Sequence, residues 1–182
     1  MGWIKETGRD LRQLKKVYEI NYLLAVLANR GFHALFVYRL SNWLYKIKIP
    51  LLPLILTRCI QILYGIDIDY RSSISGGIVI IHGVGLVIGE GVVIEEGVTL
   101  YHGVTLGRKR QGKVVPNDDG FPSVEANSVI GAGAKLIGPI KIGRGSLVGP
   151  NCVLTQSIDA ETLVKISQQS YILKNIRSTS TS

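Results

Sequence analysis

Two cysteines, three histidines and a single methionine in 182 residues leave little material for a disulfide framework or a metal cluster. Cys59 and Cys152 stand far apart and match no metal-ligand or redox spacing, which points to a reducing, cytoplasmic setting. Aromatics are sparse and do not alternate with basic residues as a groove for single-stranded nucleic acid requires, so nucleic acid is not an expected partner. Long apolar runs are missing too. The stretch 49–56 is too short to cross a bilayer and holds Pro50 and Pro53. The charged N-terminus lacks the apolar core of a cleavable signal. Acid is also in deficit. Asp and Glu number 13 against 21 Lys and Arg, and the net charge of +8 suits an anionic ligand or an acidic surface.

What the chain does have is a period. From Ile88, steps of six land on Ile94, Leu100 and Leu106, and again on Val124, Ile130, Leu136, Ile142, Val148 and Leu154. A second column, three residues after each stop, reads Gly91, Gly97, Gly103, Asn127, Gly133, Pro139, Gly145 and Asn151. Gly and Asn accept a left-handed backbone cheaply, as a corner needs. A third column, one residue later, holds small or β-branched side chains such as Val92, Ser128 and Cys152. Three columns in one register exclude a helical period and predict a parallel β-helix, with one inward aliphatic residue per flat strand.

The region before the sixes reads as helical. Residues 1–16 are polar and basic, and are expected to be a solvated arm, with a short amphipathic helix as the alternative. Residues 21–29 read as a buried helix that Gly31 interrupts. A second helix follows over 32–45, its apolar face formed by Phe36, Leu40, Trp43 and Ile47. His33 lies in it as a structural residue. Pro53 suits the first turn of a third helix, striped by Leu56, Ile60 and Leu63 and closed by Gly65. The expected organisation is an N-terminal helical domain over 1–65, a β-helix over 66–157 with an extruded loop at 107–123, and a cap and disordered tail over 158–182.

Ile68, Ile74 and Ile80 carry the sixes in a different phase, and the next stop, Ile88, comes two residues late. His82 sits at that shift. Both His82 and His102 follow their stops by two residues, so the imidazoles are expected at equivalent places in neighbouring coils. Asp67 is expected one coil below His82, around a corner, within reach to orient it. The loop 107–123 leaves the repeat and re-enters in phase, carrying Arg108, Lys109, Arg110 and Lys113. Long extruded loops of this kind usually serve function.

GFHALFVYRLSNWLY (31–45), the acid and histidine of IDID…IIHG (66–83), HGVTLG (102–107) and VIGAGAKLIG (129–138) resemble the serine acetyltransferase branch of the hexapeptide acyltransferases. HGVTLG with a short basic N-terminus is similar to the branch's polysaccharide O-acetyltransferases, of the colanic acid type. The resemblance implies a mainly β, left-handed parallel β-helix. It also implies a homotrimer, or a dimer of trimers, with active sites between subunits and acetyl-CoA as donor. It places His82 as catalytic base and Asp67 as its acidic partner. Arg108, Ala132 and Pro150 fall along the coenzyme A groove, with Gly107 beside them and Lys135 as a phosphate contact. Phe121 is expected on the acceptor side, and His102 either there or as a structural residue. Serine-specific members carry Asp-Pro-Ala where this chain has Lys16-Val17-Tyr18, Asp where it has Ile81, and Arg-His where it has Gly120-Phe121. A Gly-x-Pro-Ala after the repeat is absent as well.

These departures remove charged partners of a zwitterion, a loss of several kcal/mol. The expectation is therefore acetyl transfer to a sugar hydroxyl in polysaccharide biosynthesis, with serine O-acetylation as the alternative. His82 would take the hydroxyl proton as the oxygen attacks the thioester directly, with no acyl-enzyme. No metal is expected. A metal-dependent hydratase on this fold needs three ligands, and only His82 and His102 are suitably placed. A non-catalytic scaffold would favour regular outward Thr ladders, which the repeat lacks. The basic arm and apolar helices also point to peripheral contact with the inner membrane face.

Overall fold

The period of six becomes three flat faces around one aliphatic axis. A computed structural model of the chain describes residues 2–19, 21–109 and 120–167. The first face stacks β1 (Asp67–Ile68), β4 (Val87–Ile88), β7 (Thr105–Gly107), β10 (Lys135–Ile137) and β13 (Val153–Leu154). The second stacks β2 (Ser73–Ile74), β5 (Val93–Ile94), β8 (Ser123–Val124) and β11 (Lys141–Ile142). The third stacks β3 (Val79–Ile81), β6 (Thr99–Tyr101), β9 (Val129–Ile130), β12 (Leu147–Val148) and β14 (Leu163–Val164). Every pairing is parallel and joins a strand to its counterpart one coil away, such as Ile88 to Leu106 and Leu106 to Leu136. The inward residues Ile88, Ile94, Leu100, Leu106, Val124, Ile130, Leu136, Ile142 and Val148 are all buried. Each fully buried aliphatic side chain contributes about 1.5–3 kcal/mol, so this single row holds the stack together.

The corner column behaves differently on different edges. Gly97, Gly103, Asn127, Gly133, Gly145 and Asn151 all take positive φ. Asn127 covers Gly97, and Asn151 covers Gly133, so closely that a Cβ on either glycine would strike the amide oxygen. Gly91 and Pro139 lie on the edge between the first and second faces and are not left-handed. Gly91 is small for another reason: the Phe121 ring lies where its side chain would be.

Among the described residues, four helices precede the coils: α1 (Gly2–Tyr18), α2 (Tyr22–Ala28), α3 (Arg30–Lys46) and α4 (Leu52–Tyr64). The N-terminal segment is thus a helix docked on the stack, not a solvated arm. Its anchor is Asp10, which is buried and accepts from Arg39 Nε at 2.5 Å, Arg39 Nη2 at 2.9 Å and the Ile78 backbone N–H at 3.0 Å. Arg39 Nη1 and Nη2 donate in turn to the Ile74 and Ser75 carbonyls. Burial pushes the Asp10 carboxyl above its ordinary range, against the opposing pull of the Arg39 guanidinium. Leu14 adds an apolar contact with Ala25, Phe32 and Val79.

The other helices depart from expectation in which face they bury. In α2 only Ala25 is buried, while Leu23 and Leu27 face solvent. In α3 the buried residues include Leu35, Tyr38 and Arg39, with Phe36 and Trp43 turned outward onto Trp3 of α1. The expected stripe missed this because α3 is covered by α4 as well as by the first coil and α1. Gly31 does not break a helix but opens α3, and a Cβ there would collide with the Ile80 carbonyl. Its smallness lets α3 approach β3. Gly65 ends α4 in the left-handed conformation as expected. The closing strand begins as β14, and the rest of the expected cap and tail, 168–182, lies outside the described residues.

Candidate active site

The edge where the third face turns into the first carries the two coil histidines. Strand register pairs Ile81 with Tyr101, which aligns His82 with His102 from the strand side. From the corner side the alignment differs: Gly103 N–H donates to the Val84 carbonyl, so Val84 is the counterpart of His102. The two surplus residues are therefore His82 and Gly83. They form a tight excursion in which Gly83 N–H returns to the Ile81 carbonyl at 2.8 Å and Val84 N–H to the His82 carbonyl at 3.0 Å. His82 takes φ 64°, a conformation that costs a side-chain-bearing residue energy and that clusters at functional sites. The backbone expels its side chain from the coil. Both imidazoles are exposed, and their ring centroids lie 6.0 Å apart, edge to face.

The same edge continues down the stack. Gly133 N–H donates to the His102 carbonyl and Asn151 N–H to the Ala132 carbonyl, so His102, Ala132 and Pro150 follow one another in successive coils. Asp67 and Lys135 project from the first face beside this edge, on β1 and β10. The Asp67 carboxylate receives Gln61 Nε2 at 3.1 Å, and among the described residues no hydrogen bond joins it to His82. Gln61, from the last turn of α4, was not singled out from the sequence. Nothing in a helical stripe announces that a polar residue on it meets a strand carboxylate. Tyr18, at the end of α1, reaches the neighbourhood of Tyr101 on the third face, and burial raises its phenol above the ordinary value with Tyr101 adding to the effect.

Gly107, Arg108 and Phe121 gather at the other border of the first face, where the loop leaves the stack. Phe121 lies against Gly89 and Gly91, and the Arg108 guanidinium sits 4.7 Å above its ring and 3.5 Å from Glu90. Arg71 joins Glu90 at 2.6 Å and Asp69 at 2.7 Å around a cleft of about 420 Å³. Within one chain, Phe121 packs in a glycine notch on this edge and is not brought to the histidines. The loop cations Arg110 and Lys113 lie outside the described residues. The first face, with Thr105 and Lys135 pointing outward, separates the two clusters.

Residues 121–156 match the bacterial transferase hexapeptide family, six repeats. A serine acetyltransferase of Synechococcus elongatus is 35% identical over 146 residues, which is 79% of this chain and 57% of that protein. The chain thus spans little more than half the length of this relative. The serine acetyltransferase of Brucella abortus strain S19 in complex with coenzyme A superposes with a TM-score of 0.80 at 30% identity, covering 88% of this chain and 64% of that one. The serine acetyltransferase of Neisseria gonorrhoeae in complex with serine gives 0.82 at 26% identity, covering 93% and 69%. These relatives overturn the expectation of a polysaccharide O-acetyltransferase. The similarity extends well beyond the shared repeat, into the helices, and it leads to serine acetyltransferases. The coil is accordingly a left-handed β-helix, and the chain carries the transferase hexapeptide repeat and is similar, over most of its length, to serine acetyltransferases.

Proposed function

We propose that the chain transfers an acetyl group from acetyl-CoA to the hydroxyl of L-serine. The observation that carries this reading is the His82 excursion: a strained, exposed imidazole at the one place where the repeat gains two residues, in a chain whose relatives are serine acetyltransferases. The neutral imidazole takes the hydroxyl proton while the oxygen attacks the thioester carbonyl carbon. The C–S bond then breaks, and the thiolate leaves with the proton that His82 received. Asp67, released from Gln61, steadies the imidazolium, as in other carboxylate–histidine pairs. His102 lines the acceptor side. Backbone N–H groups of the glycine corners supply donors for the oxyanion.

Coenzyme A, as donor, lies along the first face. Ala132 and Pro150 are small or flat and leave room beside the histidine edge, and Lys135 offers an exposed ammonium to a phosphate. Arg108 and Gly107 act from the loop edge. Because the two borders of the face are apart in a single chain, the proposal includes a homotrimer, in which the loop edge of one copy, with Phe121 and Arg108, faces the histidine edge of the next.

The serine-recognising groups of the family's motif are replaced here. Tyr18 and Tyr101 stand beside the histidine edge and offer phenol groups to the acceptor in their place. The test is release of free coenzyme A thiol from acetyl-CoA with L-serine. Saturable turnover that O-acetylserine formation accounts for supports the reading, and thiol release no faster with L-serine than without it overturns it.

A further inference from the structure

The turn between α3 and α4 presents aliphatic side chains to solvent with no cover. Ile47, Ile49, Leu51, Leu52, Leu54 and Ile55 are all exposed, Leu51 to 72% and Ile55 to 54%. A contiguous apolar surface of this kind marks a contact site.

Leu51 is doubly out of place. It holds φ 60°, which a bulky residue avoids, and it occupies the N-cap of α4 with no side-chain hydrogen bond, where Ser, Thr, Asp or Asn would normally cap. The neighbouring Lys48 is also left-handed, at φ 62°. The backbone spends strain at this turn and gains outward-pointing leucine and lysine.

The charge around the tip is of one sign. Residues 21–66 contain no Asp or Glu, while Lys46, Lys48 and Arg58 flank the exposed aliphatics. A second copy docked through the same surface would bring these cations together with no acid between them. An anionic bilayer surface satisfies both features at once, with aliphatic side chains at the headgroup boundary and lysines on the phosphates. No helix among the described residues is long and apolar enough to cross a membrane, so the contact is one of lying on the surface.

We infer that the α3–α4 tip docks the protein on an anionic lipid bilayer. α4 runs from this tip to Gly65, whose carbonyl accepts from Gly85 beside the histidine edge. Its 13 residues span about 20 Å at 1.5 Å per residue. The histidine edge thus lies about one length of α4 from the docking tip.

The experiment is flotation of the full chain with vesicles of phosphatidylcholine alone and of phosphatidylcholine mixed with phosphatidylglycerol. The protein is expected to float with the anionic vesicles, to stay down with the neutral ones, and to be released by high salt. Leu51→Asp, and separately the pair Lys46→Glu and Lys48→Glu, are expected to cut the bound fraction about tenfold or more. Circular dichroism and thiol-release rate should be unchanged in both, since the tip is surface. Failure to float with anionic vesicles overturns the inference. So does binding indifferent to lipid charge, or a fall in oligomer mass on Leu51→Asp, which would assign the surface to a second copy.

Discussion

His82 owes its direction to its own backbone. With φ at 64°, the residue leaves the strand that Ile81 ends, and the ring stands outside the coil facing His102. Replacing it by Ala is expected to lower acetyl transfer by about 10²–10⁴-fold while the circular dichroism of the coil persists, and near-normal turnover would remove His82 from the mechanism. Asp10 is a residue of a different kind, since its work is to hold α1. Asp10→Ala leaves Arg39 buried without its carboxylate and is expected to cost about 3–5 kcal/mol in urea unfolding. The sign of its pH dependence follows from burial. The folded carboxyl titrates above its ordinary value of 3.8, so between the two values the folded chain keeps a proton that the unfolded chain has lost. The stability from this group is full below 3.8 and declines as pH rises through the folded value. Urea midpoints taken across that window, in the native chain and in Asp10→Asn, measure the slope, which the variant should lack.

At the scale of elements, the contact of α3 with β3 depends on Gly31. A Cβ at this position meets the Ile80 side chain at 2.8 Å as well as its carbonyl. Gly31→Ala is expected to push the helix off the first coil and destabilise the chain by about 1–3 kcal/mol, read from the shift in denaturation midpoint at constant m-value. Because the excursion at His82 begins one residue after β3 ends, the same variant should also lower turnover beyond what its unfolded fraction explains. The loop edge rests on a comparable notch. Gly89 and Gly91 make room for Phe121, and Arg108 closes over the ring. In this way a glycine pair fixes where the loop re-enters the stack.

At the scale of the whole molecule, the proposed site needs both borders of one face. If adjacent copies supply them, His82→Ala and Arg108→Glu chains should each be weak alone, yet regain activity when refolded together. That recovery, measured as thiol release from mixed against separate samples, distinguishes a site between copies from one contained in a single chain. Light scattering of the native chain should give the mass of three chains or a multiple of it.

The sequence by itself determined the β-helix, because a period of six with left-handed corners has one economical solution, and every inward position read from it is buried. It also located the irregularity at His82, since a surplus of two residues is visible by counting. What it could not determine was anything that depends on one surface meeting another. The docking of α1 rests on a buried Asp10–Arg39 pair joining residues 29 apart, and the outward turn of Phe36 and Trp43 rests on Trp3 waiting for them. Asp67 lies against Gln61, and Phe121 against two glycines, for the same reason. Periodicity records which side of an element faces inward, but the partner that a polar or aromatic side chain meets is set by how elements pack in space, and only the tertiary structure decides that.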